Sequence, residues 1–209
     1  MNIYHVIILD ESGSMTAIYQ QALTGINEVL SGIRKNQQEF PDQHHYVTIV
    51  TFEGNGMSGV KTRRDRVAVE NIKDFTQKDY CPGGCTPLYD AMGKTLVELE
   101  SQIGESNRVM ATIITDGYEN SSMEYSGKAV KNLVSRLREK GWTFAYIGAN
   151  QDAVEVATDL NIDNALNFEA TSSGTRDMCM RFCAAASKFS RRCNEEADNI
   201  SMSDLFDKD

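Results

Sequence analysis

No stretch of this sequence is apolar for long enough to cross a bilayer, which takes about 20 consecutive apolar residues. The first apolar run, "YHVIIL", is too short for the core of a secretory leader. It has no basic flank and no small-residue cleavage site, so the expected location is cytoplasmic. Basic charge is scarce: 21 Lys and Arg stand against 30 Asp and Glu, a formal net charge of −9. Phosphate recognition needs a concentrated basic face, so the composition argues against a nucleic-acid partner. The one dense basic patch, Lys61, Arg63, Arg64 and Arg66, reads as a solvated loop or strand edge. The five cysteines are an odd number, which argues against a disulfide framework and for a reducing compartment. The only histidines are His5, His44 and His45, within or before strand-like segments, where none is placed to activate a serine. A Gly-x-Gly-x-x-Gly turn and a phosphate-loop lysine are both missing, which removes the usual nucleotide sites.

What is present is an ordinary globular composition, 41% hydrophobic and 24% charged over 209 residues, enough for one domain with its own core. Strand and helix signals alternate from end to end. "YHVIIL", "YVTIVTF", "RVMATIIT", "WTFAYIG" and "NALNF" read as strands, and "RVAVENI" as a short third strand behind the turn "EGNGMSG". So short a connection suits an antiparallel hairpin. Helical spacing recurs from Ala17 to Lys35, from Leu88 to Ile103, from Val130 to Leu137, over "DAVEVATDL", and from Met178 to Phe189. The pattern predicts an α/β fold: a Rossmann-like, open, mostly parallel sheet with one antiparallel edge strand and helices on both faces. The domain is assigned to residues 1–200, with 201–209 a short, acidic, mobile tail. Sites in such sheets form at the carboxyl ends of the strands, near the switch in strand order.

Three loops at those positions carry oxygen ligands: "DESGSM", "CTPLYD" and "TDGYEN". Asp10, Ser12 and Ser14 alternate, so in an extended segment they face one point, whereas Glu11 faces away. Asp116 ends the central apolar strand, and Gly117 lets the chain turn behind it. Thr86 before Pro87 has a simpler reading as a helix N-cap. Asp90 and Tyr89 sit in the first turn of that helix, where an acid favours the dipole, and Glu119 and Asn120 read as rim or capping residues. Cys81 and Cys85 have no histidine nearby to complete a zinc set and read as adjacent free thiols; a bond between them would make the neighbouring site redox-sensitive. Cys179 and Cys183, one helical turn apart, read as buried free thiols. Two carboxylates and three hydroxyls suit Mg2+ or Mn2+, ahead of Ca2+, rather than zinc or copper. Two aspartates neutralise a divalent ion, and an open coordination position then favours a carboxylate from another molecule.

"DESGSM", "GGCTPLYDAM" and "ITDGYEN" together resemble a von Willebrand factor type A domain with its metal-ion-dependent adhesion site. The family pattern Asp-x-Ser-x-Ser, a distant Thr and a later Asp falls on Asp10, Ser12, Ser14, Thr86 and Asp116. The resemblance implies a non-enzymatic, metal-dependent interaction module. In it the hydroxyls tend to touch the ion, the aspartates often act through water, and a protein partner supplies Asp or Glu. It also implies the stand-alone, intracellular bacterial kind rather than an extracellular adhesin. Two alternatives stay open: a metal-assisted phosphoryl hydrolase, although Ser12 stands where a second aspartate is wanted, and a structural domain with an unused site.

Overall fold

The computed structural model of the chain describes residues 1–54, 59–149, 152–195 and 202–206. Strands and helices alternate in the order β1 (Asn2–Asp10), α1 (Tyr19–Glu39), β2 (His44–Phe52), β3 (Val60–Ala68), α2 (Leu88–Gln102) and β4 (Arg108–Thr115). The chain continues through α3 (Gly127–Glu139), β5 (Trp142–Ala149), α4 (Ala153–Asp159), β6 (Asn164–Phe168) and α5 (Ser172–Asn194). The strands form one sheet in the order β3-β2-β1-β4-β5-β6. Every pairing is parallel except β2 with β3. This is the mostly parallel α/β sheet with one antiparallel edge strand that the alternation predicts.

The strand period of two divides the core between the faces. Ile3, Ile7 and Leu9 of β1 pack in one cluster with Ile26, Val29 and Ile33 of α1 and Phe182 and Phe189 of α5. Val6 and Ile8 join the other cluster, with Leu96 and Leu99 of α2 and Val130, Val134 and Leu137 of α3. β5 is buried along its whole length and β4 along all but its first residue, as central strands covered on both sides must be. Side-chain oxygens satisfy the first amides of three helices: Ser126 for α3, Asp152 for α4 and Thr171 for α5. Gly141, at φ +85°, supplies the left-handed residue between α3 and β5.

Some expectations are corrected. The third strand runs over Val60–Ala68 rather than residues 66–72, where a short 3-10 turn, Val69–Asn71, follows it instead. Val69 and Ile72 are buried beneath α1, so the apolar signal of "RVAVENI" marks a return into the core. The strand itself is basic, which an edge position tolerates and uses against unwanted pairing. Its patch is not simply solvated: Arg63 pairs with buried Glu11, and Arg64 with Asp79, both at low exposure. Positions 55–58 of the predicted hairpin turn lie outside the described residues, as do 201 and 207–209 of the tail. The described part of that tail is anchored: Leu205 and Phe206 are buried, and Leu205 N donates to Asn164 Oδ1 on β6 at 2.9 Å. Among the described residues no helix is long and apolar enough to cross a membrane.

β1 leads through β2 to one side of the sheet, while β4 leads to β5 and β6 on the other. The strand order therefore reverses between β1 and β4, and the carboxyl ends of these two strands are where doubly wound sheets place their sites. Asp10 is the last residue of β1, and Asp116 follows the last residue of β4.

Candidate metal centre

Asp10 is fully buried, and its carboxylate is held at both oxygens. Oδ1 accepts from Ser12 N at 2.7 Å, and Oδ2 accepts from the Thr115 hydroxyl at 2.5 Å. Ser12 Oγ lies 3.1 Å from Ser14 Oγ, and Ser14 Oγ donates to Asp116 Oδ1 at 2.6 Å. The two hydroxyls thus link the loop after β1 to Asp116 in one hydrogen-bonded chain. Thr86 reaches the same place. A Cβ built on Gly117 would stand 3.3 Å from Thr86 Oγ1 and 3.8 Å from Ser14 Oγ. The five candidate oxygen-bearing residues thus gather at the switch point; Ser12 is extended as expected (φ −70°, ψ 167°), whereas Ser14 is not. Ser12 precedes a 3-10 turn, Gly13–Ile18, that contains Ser14, and the turn brings the two hydroxyls together. Gly117 is needed for close approach rather than for turning, since its φ is not positive.

The cap role expected of Thr86 is also corrected. Its backbone, not its hydroxyl, carries the bonds: Thr86 N donates to Asn120 Oδ1 at 2.8 Å, and Asn120 N returns a bond to Thr86 O at 3.2 Å. The amides opening α2 are taken instead by Glu119, which accepts from Tyr89 N, and by Ser122 Oγ, which accepts from Asp90 N. The Thr86 hydroxyl is thereby released from capping.

Several supporting residues have no signature in the sequence. The Tyr80 hydroxyl, fully buried, donates to the Asp10 carbonyl at 2.7 Å. Glu11 faces away from the site, as alternation predicts, and forks with Arg63 while accepting from Cys81 N. Gly13 N donates to Gly84 O, and Gly83 N to Glu11 O, tying the loop before Thr86 to the loop after β1. Gly84 has φ +72°, which only glycine adopts without strain. Asp90 is more than a dipole partner: its buried carboxylate accepts from the amides of Met123, Glu124 and Tyr125. Burial opposes its ionisation, but those three bonds outweigh it and hold its pKa below the usual range.

The electrostatics of the centre run the other way. Burial raises the pKa of Asp10 to about 6 against the opposing Thr115 and Ser12 hydrogen bonds, and the neighbouring Asp116 charge adds to the rise. Burial likewise raises Asp116. Neither carboxylate takes part in an ion pair among the described residues, since Arg63 is engaged by Glu11. Two partly desolvated anions with no protein cation, beside hydroxyls free to turn their lone pairs inward, fit a hard divalent cation. Nowhere among the described residues do three or more His, Cys, Asp or Glu side chains cluster as a softer metal would need. All five cysteines are free, with Cys81 and Cys85 exposed on the loop that leads to Thr86.

A doubly wound sheet with this oxygen set at its switch point, and no glycine-rich phosphate turn in the sequence, defines the Rossmann-like class of folds. Within that class, the family model of the von Willebrand factor type A domain matches residues 6–178, and the chain belongs to that family. Solved structures agree on the fold. Proximal thread matrix protein 1 from the mussel byssus superposes with a TM-score of 0.63 at 14% identity, over 89% of this chain and 46% of that one. The VWA domain of SpRpn10 gives 0.59 at 11% identity, over 85% and 93%. The pilus adhesin SpaC of Lactobacillus rhamnosus GG gives 0.60 at 13%, over 87% and 30%. The chain therefore spans less than half of the mussel protein and under a third of the adhesin. One structure of the mussel protein holds zinc in its MIDAS motif. No curated protein matches the sequence.

Proposed function

We propose that the chain is a metal-dependent protein-interaction module rather than an enzyme. Ser12, Ser14 and Thr86 would contact a divalent ion, Mg2+ or Mn2+, with Asp10 and Asp116 acting directly or through water. The ion supplies an electrophilic position that an Asp or Glu side chain of a partner protein fills. The observation that carries this reading is the convergence of Asp10, Ser12, Ser14, Thr86 and Asp116 on one point, with two carboxylates that no cation among the described residues neutralises. Serine chemistry is a poor fit, because His5 on β1 and His45 on β2 are buried and bonded to each other. Free thiols at the surface suit a reducing, cytoplasmic setting and a module of the stand-alone bacterial kind.

The test is calorimetric titration with MgCl2 and MnCl2 of the parent, of Asp10→Ala and of the Ser12→Ala/Ser14→Ala double variant. Saturable binding in the parent that both variants abolish, with circular dichroism unchanged, supports the module. Binding that survives both substitutions, or none in the parent at millimolar metal, removes it.

A further inference from the structure

We infer that the crevice between β6 and the last turns of α5 is a docking site for a short acidic segment that ends in Leu-Phe. In the resting chain its own residues 202–206 fill the site, and a partner protein carrying such a segment displaces them. The site lies at the amino-terminal ends of β5 and β6, the opposite end of the sheet from the candidate metal centre, and does not depend on that centre. One side chain, Asn164 of β6, grips the backbone of residues 202–206 twice. Its Nδ2 donates to the Met202 carbonyl at 2.8 Å, and its Oδ1 accepts from the Leu205 amide at 2.9 Å. A carbonyl and an amide three residues apart close on each other in a β-turn, and here a side-chain amide stands between them. The same Nδ2 donates to Phe144 O on β5 at 2.9 Å, so the clamp is fixed from behind. Arg192 donates to the Asp204 carboxylate at 2.6 Å, and the Lys188 ammonium to the Asp204 carbonyl at 2.6 Å. Leu205 and Phe206 are buried in the apolar cluster that contains Leu166, Phe182 and Phe189. A backbone clamp, a paired charge and an apolar bed are what a groove needs to read a linear segment.

The bed is larger than its occupant. A cavity of about 480 Å3 adjoins Met202 and Ser203 beside Trp142 and Phe144, and one of about 430 Å3 adjoins Ser203, Asp204 and Phe206 beside Leu166. Charge is complementary as well. The chain carries a net charge of −9, yet Arg138 and Arg181 line these cavities and Lys188 and Arg192 touch the segment. Arg138 is paired with Asp163, whereas Lys188 and Arg192 turn to the segment itself. An acidic ligand is therefore drawn to this place although the molecule as a whole repels it. The chain's own tail acts as a tethered competitor. From Glu195, the C-cap of α5, to Met202 the chain reaches at most about 25 Å. A tether of that reach corresponds to an effective concentration of about 1 mM. A bed with an affinity near 0.1 mM is then filled from within by roughly ten to one, and a partner binds by displacement.

The probe is a fluorescein-labelled peptide with the sequence of residues 201–209, titrated by anisotropy in EDTA so that no cation site contributes. Three full-length proteins are compared: the parent, Leu205→Ala/Phe206→Ala, which frees the bed, and that double variant with Arg192→Glu added. The freed protein is expected to bind the peptide about tenfold more tightly than the parent, and Arg192→Glu to weaken that binding at least about tenfold. Hydrogen exchange of the parent needs no variant. The Leu205 amide should exchange at least about a hundredfold faster than the Ile147 amide of β5, because the segment opens without global unfolding. No saturable binding by the freed protein with its circular dichroism intact, or equal binding by all three proteins, overturns the inference. Leu205 protection equal to that of Ile147 overturns it too, since the segment then leaves only with the fold. Self-association of the parent in sedimentation that Leu205→Ala/Phe206→Ala abolishes would place a second copy's tail in the bed, and that also overturns a site kept for a partner protein.

Discussion

Polar groups are buried at both ends of the sheet, and the two ends differ in what their leftover atoms are. At the carboxyl ends of β1 and β4, the leftovers are anionic oxygens that converge, and Asp116 is only partly covered. At the opposite end, His5 and His45 stack at 5.2 Å and share one hydrogen bond of 2.9 Å. Around them, His5 Nδ1, His45 Nε2, Asn36 Nδ2, Gln43 Oε1 and Ser190 Oγ are buried without a partner among the described residues. Those groups are uncharged and sealed from solvent, so they cost stability and offer nothing to a ligand. Burial of polar groups alone does not mark a site. Convergent charge of one sign with an open approach does.

The sharpest way to separate the two ends is acid. Burial, with a contribution from the other imidazole, lowers His5 to about 3; burial, with His44 adding, lowers His45 to about 4. An unfolded imidazole takes up a proton near pH 6.5. The unfolded state therefore binds more protons than the native one in the window below that value. Stability is full above pH 6.5 and falls as pH drops toward 4, by about 1.4 kcal/mol per pH unit for each ring. Urea denaturation at pH 7.5 and pH 5 in metal-free buffer should show this loss, reduced but not cancelled by the proton that native Asp10 takes up near pH 6, since two rings outweigh one carboxyl. A midpoint unchanged between them would mean that the pair is already protonated or solvated.

Thr115→Val tests the other end. It deletes the donor to Asp10 with little change in shape, and Mg2+ affinity should fall about 10–100-fold, as for other ligand-orienting partners. Chemical denaturation should show a loss of only about 1–3 kcal/mol from the unpaired carboxylate oxygen. An unchanged titration would mean that Asp10 needs no orientation. Gly117→Ala is gentler. Its methyl would press on Thr86 Oγ1 at 3.3 Å, and a severalfold weaker Mg2+ affinity with an intact fold is expected. Exposed pairs give the baseline: breaking Arg66–Asp65 by Asp65→Asn should alter stability by no more than about 0.5 kcal/mol and leave metal titration unchanged.

What was legible in the sequence follows from how local each cause is. β1, β4 and the amphipathic stripes of α1 and α3 are set by spacing within one segment, and so is the pairing of an aspartate with the end of each inner strand. Thr86 was harder, because Pro87 after it imitates a helix start while the true caps come from Glu119 and Ser122, more than thirty residues on. Thr115 looks like any β-branched strand residue until its hydroxyl meets Asp10, 105 positions away. The basic strand was misplaced because the apolar signal of Val69 and Ile72 belongs to a return into the core beneath α1, and Arg63 reads as solvated until Glu11, 52 positions earlier, appears beside it. Local spacing reveals which atoms are offered, whereas the partners that hold them are set by topology.

Diffraction from crystals soaked in MnCl2, collected at a wavelength where manganese scatters anomalously, tests the central claim most directly. The account predicts one strong anomalous peak at the ends of β1 and β4, bonded to at least two of the hydroxyl oxygens of Ser12, Ser14 and Thr86. A peak elsewhere with those strand ends empty, or no peak at millimolar Mn2+, would contradict it.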